Sequence, residues 1–333
     1  MNRIVFALAS LALSTVSLAC STPDDSVDGS EDQLINAPLD KTNTWAVGVC
    51  ASEPNTDPAV GPLGACTTKG TRCTGSLIAP NLVLTARHCV ADINYDNATG
   101  FCDGAVFEAK LKNPKIRVTL DASVLGENVA WREAAEVILE NENNGCKNDL
   151  AILRLAAPVA AADAKPIALD TRGLAKIQPR KVAVVGRGVL TALFDLETGA
   201  PIDEANGGLK RRFKTDMSFD CVSNNSKKPC IVDDYSSPPT NKFALPFDAY
   251  FATGPGTASG DSGAAVLSSA KFKAGKPVAI GVISAGTWDK NGVDNHSINV
   301  RLDQHEAWLK ATLKAKAPNA YTLVTSGSTD SAE

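Results

Sequence analysis

Ser262 stands in "GTASGDSGAAV", Gly256 to Val266, between Asp261 and Gly263. A serine hydroxyl is a weak nucleophile until a base takes its proton. The stretch is also ordinary turn chemistry, because glycine accepts positive φ and Asp and Ser hydrogen-bond nearby backbone. Any base must come from elsewhere in the chain. The sequence holds 3 histidines: His88, His296 and His305. His305 falls on an expected terminal helix and reads as a surface residue. His296 falls in a polar loop, "NGVDNHS". His88 ends the apolar run "LVLTARHCV", beside Cys89. By itself it reads equally as a base or as a partly buried histidine next to a disulfide.

Positioning such groups needs a rigid scaffold, and the chain can build one. It has 333 residues, 44% of them hydrophobic, enough for one large domain or two small ones. Charged residues make up 21%, the formal net charge is -4, and no basic stripe of the kind nucleic acid would favour is present. Short apolar runs alternate with turn clusters, which predicts strands rather than long helices. "WAVGV", "SLIAPNLVLTA", "AILRL", "KVAVVG", "AAVL" and "VAIGVIS" are the strand candidates. One helix is signalled near the end: Asp303 as cap, Glu306 three residues on, and Leu302, Leu309 and Leu313 near one face with Trp308 beside them.

The first nineteen residues read as a secretory signal. Arg3 gives a positive n-region, Ile4 to Val16 is almost wholly apolar or small, and Ser17-Leu18-Ala19 fits a small-x-small cleavage site. "SLAC" also resembles a bacterial lipoprotein signal, which would put a lipid on Cys20 and attach the protein to a membrane. Residues 20–33 include "STPDDSVDGSEDQ", acidic and almost without apolar residues, and read as a tether or propeptide. Removing Cys20 from the nine cysteines leaves an even eight, which in an exported chain suggests disulfides. A main domain is expected over 34–316 and a disordered tail over 317–333.

"LTARHC" resembles the histidine segment of the trypsin/chymotrypsin-like serine peptidase family. "NDLAILRLAAPVAAADAKPIAL" resembles its aspartate strand, with Asp149 before the apolar run, and "GDSGAAV" and "GVISAG" resemble its serine loop and pocket wall. The segments occur in family order and span roughly Leu34 to Leu313, with an insertion candidate at "LFDLETGAPIDEANGG". The resemblance implies an all-β fold of two packed six-stranded antiparallel β-barrels with a C-terminal α-helix. It implies a catalytic triad of His88, Asp149 and Ser262, an oxyanion hole at the N–H groups of Gly260 and Ser262, and a Cys73–Cys89 bridge. It also implies that Asp261 pairs with an amine freed by cleavage near "LINA", Leu34 to Ala37. No Arg or Lys precedes Leu34, so a trypsin-like activator would not cut there. Cys221–Cys230 is expected across a short polar loop. Cys50–Cys66 and Cys102–Cys146 are expected with swapped pairing among the four left open.

In the family the pocket for the residue before the scissile bond is set by positions here occupied by Gly256, Ser284, Gly286 and Ser297. Gly256 offers no charge, which implies small to medium uncharged side chains rather than Arg or Lys, with large apolar ones as the alternative. Ala285 stands where tryptophan is common, and Ala264 replaces a glycine. The implied activity is a monomeric serine endopeptidase acting on protein or peptide, with no cofactor and no metal. A peptidase fold used only for binding is the serious rival, although no triad member is missing. An esterase or lipase of the α/β-hydrolase type fits poorly, because its triad runs Ser, acid, His and its elbow needs glycine where Ala264 stands. A zinc enzyme fits no better, since the histidines lack ligand spacing.

Overall fold

The computed structural model describes residue 34 and residues 37–326, except 60, 68–70, 97–101, 103, 178, 190–208, 224–227, 235–240, 247 and 289–293. The signal and lipid-anchor expectations, the acidic segment and the insertion candidate lie outside the described residues. Eighteen strands make up most of the regular secondary structure among the described residues. They begin with β1 (Ala46–Ala51), β2 (Thr71–Ala79) and β3 (Leu82–Thr85). A side ribbon of β4 (Ala91–Asn94) and β5 (Val106–Leu111) follows, then β6 (Arg117–Thr119), β7 (Trp131–Leu139) and β8 (Ala151–Leu155). The second half holds β9 (Ala168–Asp170), β10 (Lys181–Gly186), β11 (Arg212–Val222), β12 (Cys230–Asp234), β13 (Asn241–Leu245) and β14 (Tyr250–Thr253). The last are β15 (Ala265–Ser268), β16 (Val278–Trp288), β17 (Asp294–Arg301) and β18 (Leu323–Val324).

Strands β1, β2, β3, β8, β7 and β6 close one antiparallel barrel. Strands β15, β10, β11, β14, β17 and β16 form the second, which closes through the β15–β16 pairing. Closure matters because it leaves no row of unpaired N–H and C=O groups within either ring. The β2–β3 hairpin turns at Pro80-Asn81, and both strands are buried almost throughout. Leu77, Leu82, Leu84, Ile152 and Leu153 are each 0% exposed and belong to one continuous hydrophobic core.

The terminal helix runs Glu306–Lys316, and its Leu309 and Leu313 are fully buried, as is Leu302 just before it. Its start differs from expectation. Asp303 does not cap the helix; its carboxylate accepts from the Leu174 N–H and pairs with Arg301, so a tertiary demand outbids the local one. His305 is 6% exposed rather than on the surface, with Nδ1 2.7 Å from Glu140 Oε2. His296 lies on β17 opposite Thr287, not in a loop. Leu323–Val324, in the stretch expected to be a disordered tail, pair in parallel with Leu169–Asp170 of β9. An open strand edge beside two β-branched or apolar residues was enough to order them.

All four expected disulfides are present among the described residues: Cys50–Cys66, Cys73–Cys89, Cys102–Cys146 and Cys221–Cys230. Cys73–Cys89 joins β2 to the turn that follows β3, and so fixes both ends of the hairpin leading to His88. A loop of that length is worth about 3 kcal/mol in the chain-entropy account.

The two barrels meet across two buried arginines. Arg187, at the end of β10, donates to the Ala46 carbonyl of β1 at 3.0 Å. Arg211 donates to the Leu120 carbonyl at 2.9 Å and its Nε lies 3.6 Å from Asp40 Oδ2. Arg187 is 1% exposed, and its Nε and Nη1 meet no acceptor among the described residues. Burial, with the Arg211 charge beside it, pushes its guanidinium down to about 9. The charged form therefore costs stability at neutral pH, and that cost is relieved only as pH rises past 9. Arg187→Met is expected to leave stability unchanged or raise it by about 1 kcal/mol or more, since an apolar isostere removes an uncompensated charge. Arg211→Met is expected to lower stability by about 3 kcal/mol, because it removes the cation facing Oδ2 of the buried Asp40, whose other donors all serve Oδ1. Chemical denaturation at pH 7 reads both.

Candidate active site

His88 lies in a 3-10 turn, Arg87–Cys89, directly after β3. Asp149 lies two residues before β8, the neighbour of β3 in the barrel. Adjacency of these strands brings the two side chains together. Asp149 Oδ2 is 2.7 Å from His88 Nδ1, and Oδ1 accepts the His88 backbone N–H at 2.8 Å. Ser284, on β16 of the second barrel, donates its hydroxyl to Oδ2 as well. Sequence reading assigned Ser284 to the pocket wall; the structure gives it this bond to the acid. Burial favours the neutral acid, but the His88 charge and the donors from His88 and Ser284 outweigh it. They hold Asp149 below the usual carboxylate range.

Three further residues position this pair. Arg87, 4% exposed, donates Nη1 to the Glu142 carbonyl at 2.5 Å and lies over the Phe107 ring, 4.7 Å from its centroid. Asn148, next to Asp149, donates to the same Glu142 carbonyl at 2.6 Å. Arg87 thus ties the histidine turn to the loop that delivers the acid. Tyr250, on β14, is buried and donates its hydroxyl to the Gly145 carbonyl of that loop at 3.0 Å. Burial, and then the Asp149 charge, hold its phenol well above the usual range, so it stays a neutral donor. Arg87 was readable beside His88; nothing local in the sequence marks Tyr250, which arrives from the other barrel.

The serine loop is pinned to the first barrel. Thr74 of β2 donates its N–H to the Ser262 carbonyl at 2.8 Å and its hydroxyl to the Gly260 carbonyl at 2.9 Å. Gly263 has φ +85°, and a Cβ there would lie 2.2 Å from the Thr74 carbonyl oxygen and from Thr85 Oγ1. Gly260 has φ +99°, and a Cβ there would lie 3.0 Å from the Arg187 carbonyl oxygen. Both positions require glycine on conformational and steric grounds. Asp261 is fully buried, with its carboxylate accepting the N–H groups of Gly188 at 2.6 Å and Ala258 at 2.9 Å. Leu34, 2% exposed, gives its N–H to the Gly256 carbonyl at 3.1 Å.

His88, Gly260 and Ser262 line one cavity of about 270 Å³, together with Arg72, Val189 and Ser259. Among the described residues, neither the Gly260 nor the Ser262 N–H donates to another protein group. No hydrogen bond joins the Ser262 hydroxyl to His88 among them either. Catalytic hydrogen bonds are often long before substrate binds and tighten in the complex. Between β16 and β17, Gly286 pairs in register with Ser297, and the Ser297 hydroxyl is bonded to that of Thr257.

Two closed six-stranded barrels, with a half-buried histidine bonded to a buried aspartate and a serine that lines the same cavity as the histidine, define a chymotrypsin-like serine peptidase fold. The family model described as Trypsin matches residues 47–309, and the chain belongs to that family. No curated protein matches it.

If Arg87 fixes the acid loop against the histidine turn, Arg87→Ala is expected to lower kcat by about 10-fold or more with little change in KM. Arg87→Lys, which cannot fork or stack as well, is expected to recover only part of that loss. A fall in active-site titre alone, with kcat per titrated site unchanged, would mean that Arg87 supports folding and nothing more.

Proposed function

We propose that this protein is a serine endopeptidase that hydrolyses peptide bonds through an acyl-enzyme. The observation that carries the reading is the His88–Asp149 bond at 2.7 Å in the cavity that Ser262 also lines. His88 takes the Ser262 proton as the hydroxyl attacks the peptide carbonyl. Asp149 keeps Nδ1 protonated and stabilises the imidazolium. The negative charge on the former carbonyl oxygen is met by the N–H groups of Gly260 and Ser262, each such donor being worth about 10²–10³ in rate. His88 then returns its proton to the leaving amine, and a water repeats the sequence in reverse to free the acid product.

The chain would be made as a zymogen. Cleavage near Leu34 would free an amine to pair with Asp261, and that rearrangement would bring Ser262 and His88 into contact. Four disulfides favour an oxidising compartment, consistent with export. A lipid on Cys20 would anchor the protein at a bacterial membrane; release and processing of Cys20→Ala just like the parent would refute the anchor. The missing Ser262–His88 bond favours the second reading, a peptidase fold that only binds a partner.

A fluorophosphonate probe separates the two. Labelling is expected at Ser262 in the purified, processed protein and not in Ser262→Ala. Asp149→Asn is expected to lower kcat by about 10⁴-fold, the size of the same change in the family's best-studied triad. An unlabelled Ser262 in processed protein would leave the binding reading in its place.

A further inference from the structure

A second cavity, of about 860 Å³, shares no lining residue with the one that His88 and Ser262 line. Three aromatic side chains line it: Trp45, just before β1, Phe213 of β11, and Phe272 of a short helix, Ser269–Lys273. Phe213 and Phe272 are half-buried, with ring centroids 6.0 Å apart. Lys165, Lys273 and Lys276 line it too, and no Asp or Glu does among the described residues. Lys273 is paired with Asp216. Lys165 and Lys276 are exposed, and neither side chain has an acidic partner among the described residues.

The local sequence explains why these two lysines stand together. Each precedes a proline, Lys165-Pro166 and Lys276-Pro277, and the residue before a proline is held in extended backbone. Proline offers no N–H to a ladder, and β9 and β16 begin just beyond the two prolines. The strands then pair in parallel, with Ala168 opposite Val278. That register sets the two Lys-Pro pairs side by side at one end of the ladder.

We infer that this cavity is a docking site for an acidic peptide segment of a partner protein, with an aromatic or apolar residue beside its carboxylates. The chain has a formal net charge of -4, yet here two lysines stand uncompensated around an aromatic lining. Carboxylates of the segment would meet Lys165 and Lys276, and the side chain between them would bury against the aromatic rings. A bare polyanion would leave that apolar lining unused. A membrane would need aromatic side chains that protrude, and Trp45 is only 6% exposed. Nucleic acid would need a run of phosphate contacts, more cations than the cavity holds.

The experiment measures equilibrium binding to full-length Ser262→Ala, so that no probe is cut and the result stands apart from the peptidase reading. The probes are glycine-flanked Glu-Glu-Phe-Glu-Glu, the same peptide with Gln for every Glu, and the same with Ser for Phe. The first is expected to bind about 5-fold or more tighter than either of the others. The Glu/Gln ratio should fall toward one as salt rises. Lys165→Gln combined with Lys276→Gln is expected to bring that ratio to about one while the unfolding midpoint holds, since both side chains are exposed. Lys110→Gln, on β5 and outside the cavity, is expected to change nothing. An equal loss with Lys110→Gln would mean attraction by general charge and would overturn the inference. So would a Ser peptide bound as tightly as the Phe peptide, or a Glu/Gln ratio that the double lysine variant leaves unchanged. Inorganic polyphosphate held more tightly than the Phe peptide through the same two lysines would overturn it in favour of a polyanion site.

Discussion

A carboxylate removed from water must be met by donors or lose its charge. Asp149 is 3% exposed, and the structure around it is arranged to meet that demand. Its three donors are the His88 N–H, the His88 ring and the Ser284 hydroxyl. The first two belong to the first barrel and the third to the second. One buried charge therefore orients the histidine and also ties β16 to it. Arg87 and Tyr250 act a step further out, holding the loop that carries the acid through the carbonyls of Glu142 and Gly145. Each of these side chains is spent on backbone, so the loop is fixed in shape as well as in place.

The serine loop reaches the same point by a different route. It is held by main-chain carbonyls against Thr74 and shaped by Gly260 and Gly263, whose φ values exclude ordinary side chains. Asp261 is boxed in from behind: a Cβ at Gly186 or Gly188 would lie 2.0 or 2.3 Å from its carboxylate oxygens. These two glycines flank Arg187, so the segment that accommodates Asp261 also carries the buried arginine to the seam. The serine loop, with the N–H groups of Gly260 and Ser262, and the barrel contact are mechanically one unit.

Much of this was legible in the sequence for a physical reason. The histidine and serine segments are local: a turn joined directly to an apolar strand leaves a pattern of a few residues, after the strand in "LTARHC" and before it in "GDSGAAV". Strand runs that fill a barrel must be short and apolar, so the all-β class could also be read. The failures share the opposite property. Asp303 looked like a cap because only its neighbours were visible, yet its carboxylate serves Leu174, 129 residues away. His305 looked exposed because Glu140, just past the end of β7, was out of view of its own helix. Leu323–Val324 looked like tail because the β9 edge that orders them lies far upstream.

The seam between the barrels explains why such long-range polar contacts recur. Apolar burial is non-directional and tolerates sliding of one surface over another. Groups that react must be held within about 0.5 Å of the productive geometry. A purely apolar interface could join the barrels without fixing their register. Here the seam is set by directed bonds: Thr74 to the serine loop, Ser284 to Asp149, Tyr250 to Gly145, and Arg187 and Arg211 to carbonyls of the first barrel. Each has one acceptor and one angle, so displacement of either barrel would break several at once. Arg187 shows the cost of building the seam this way, since two of its nitrogens are buried without acceptors. The fold tolerates that cost at a point where a charge on one barrel reaches a carbonyl on the other, beside the glycine that frames the acid before the serine.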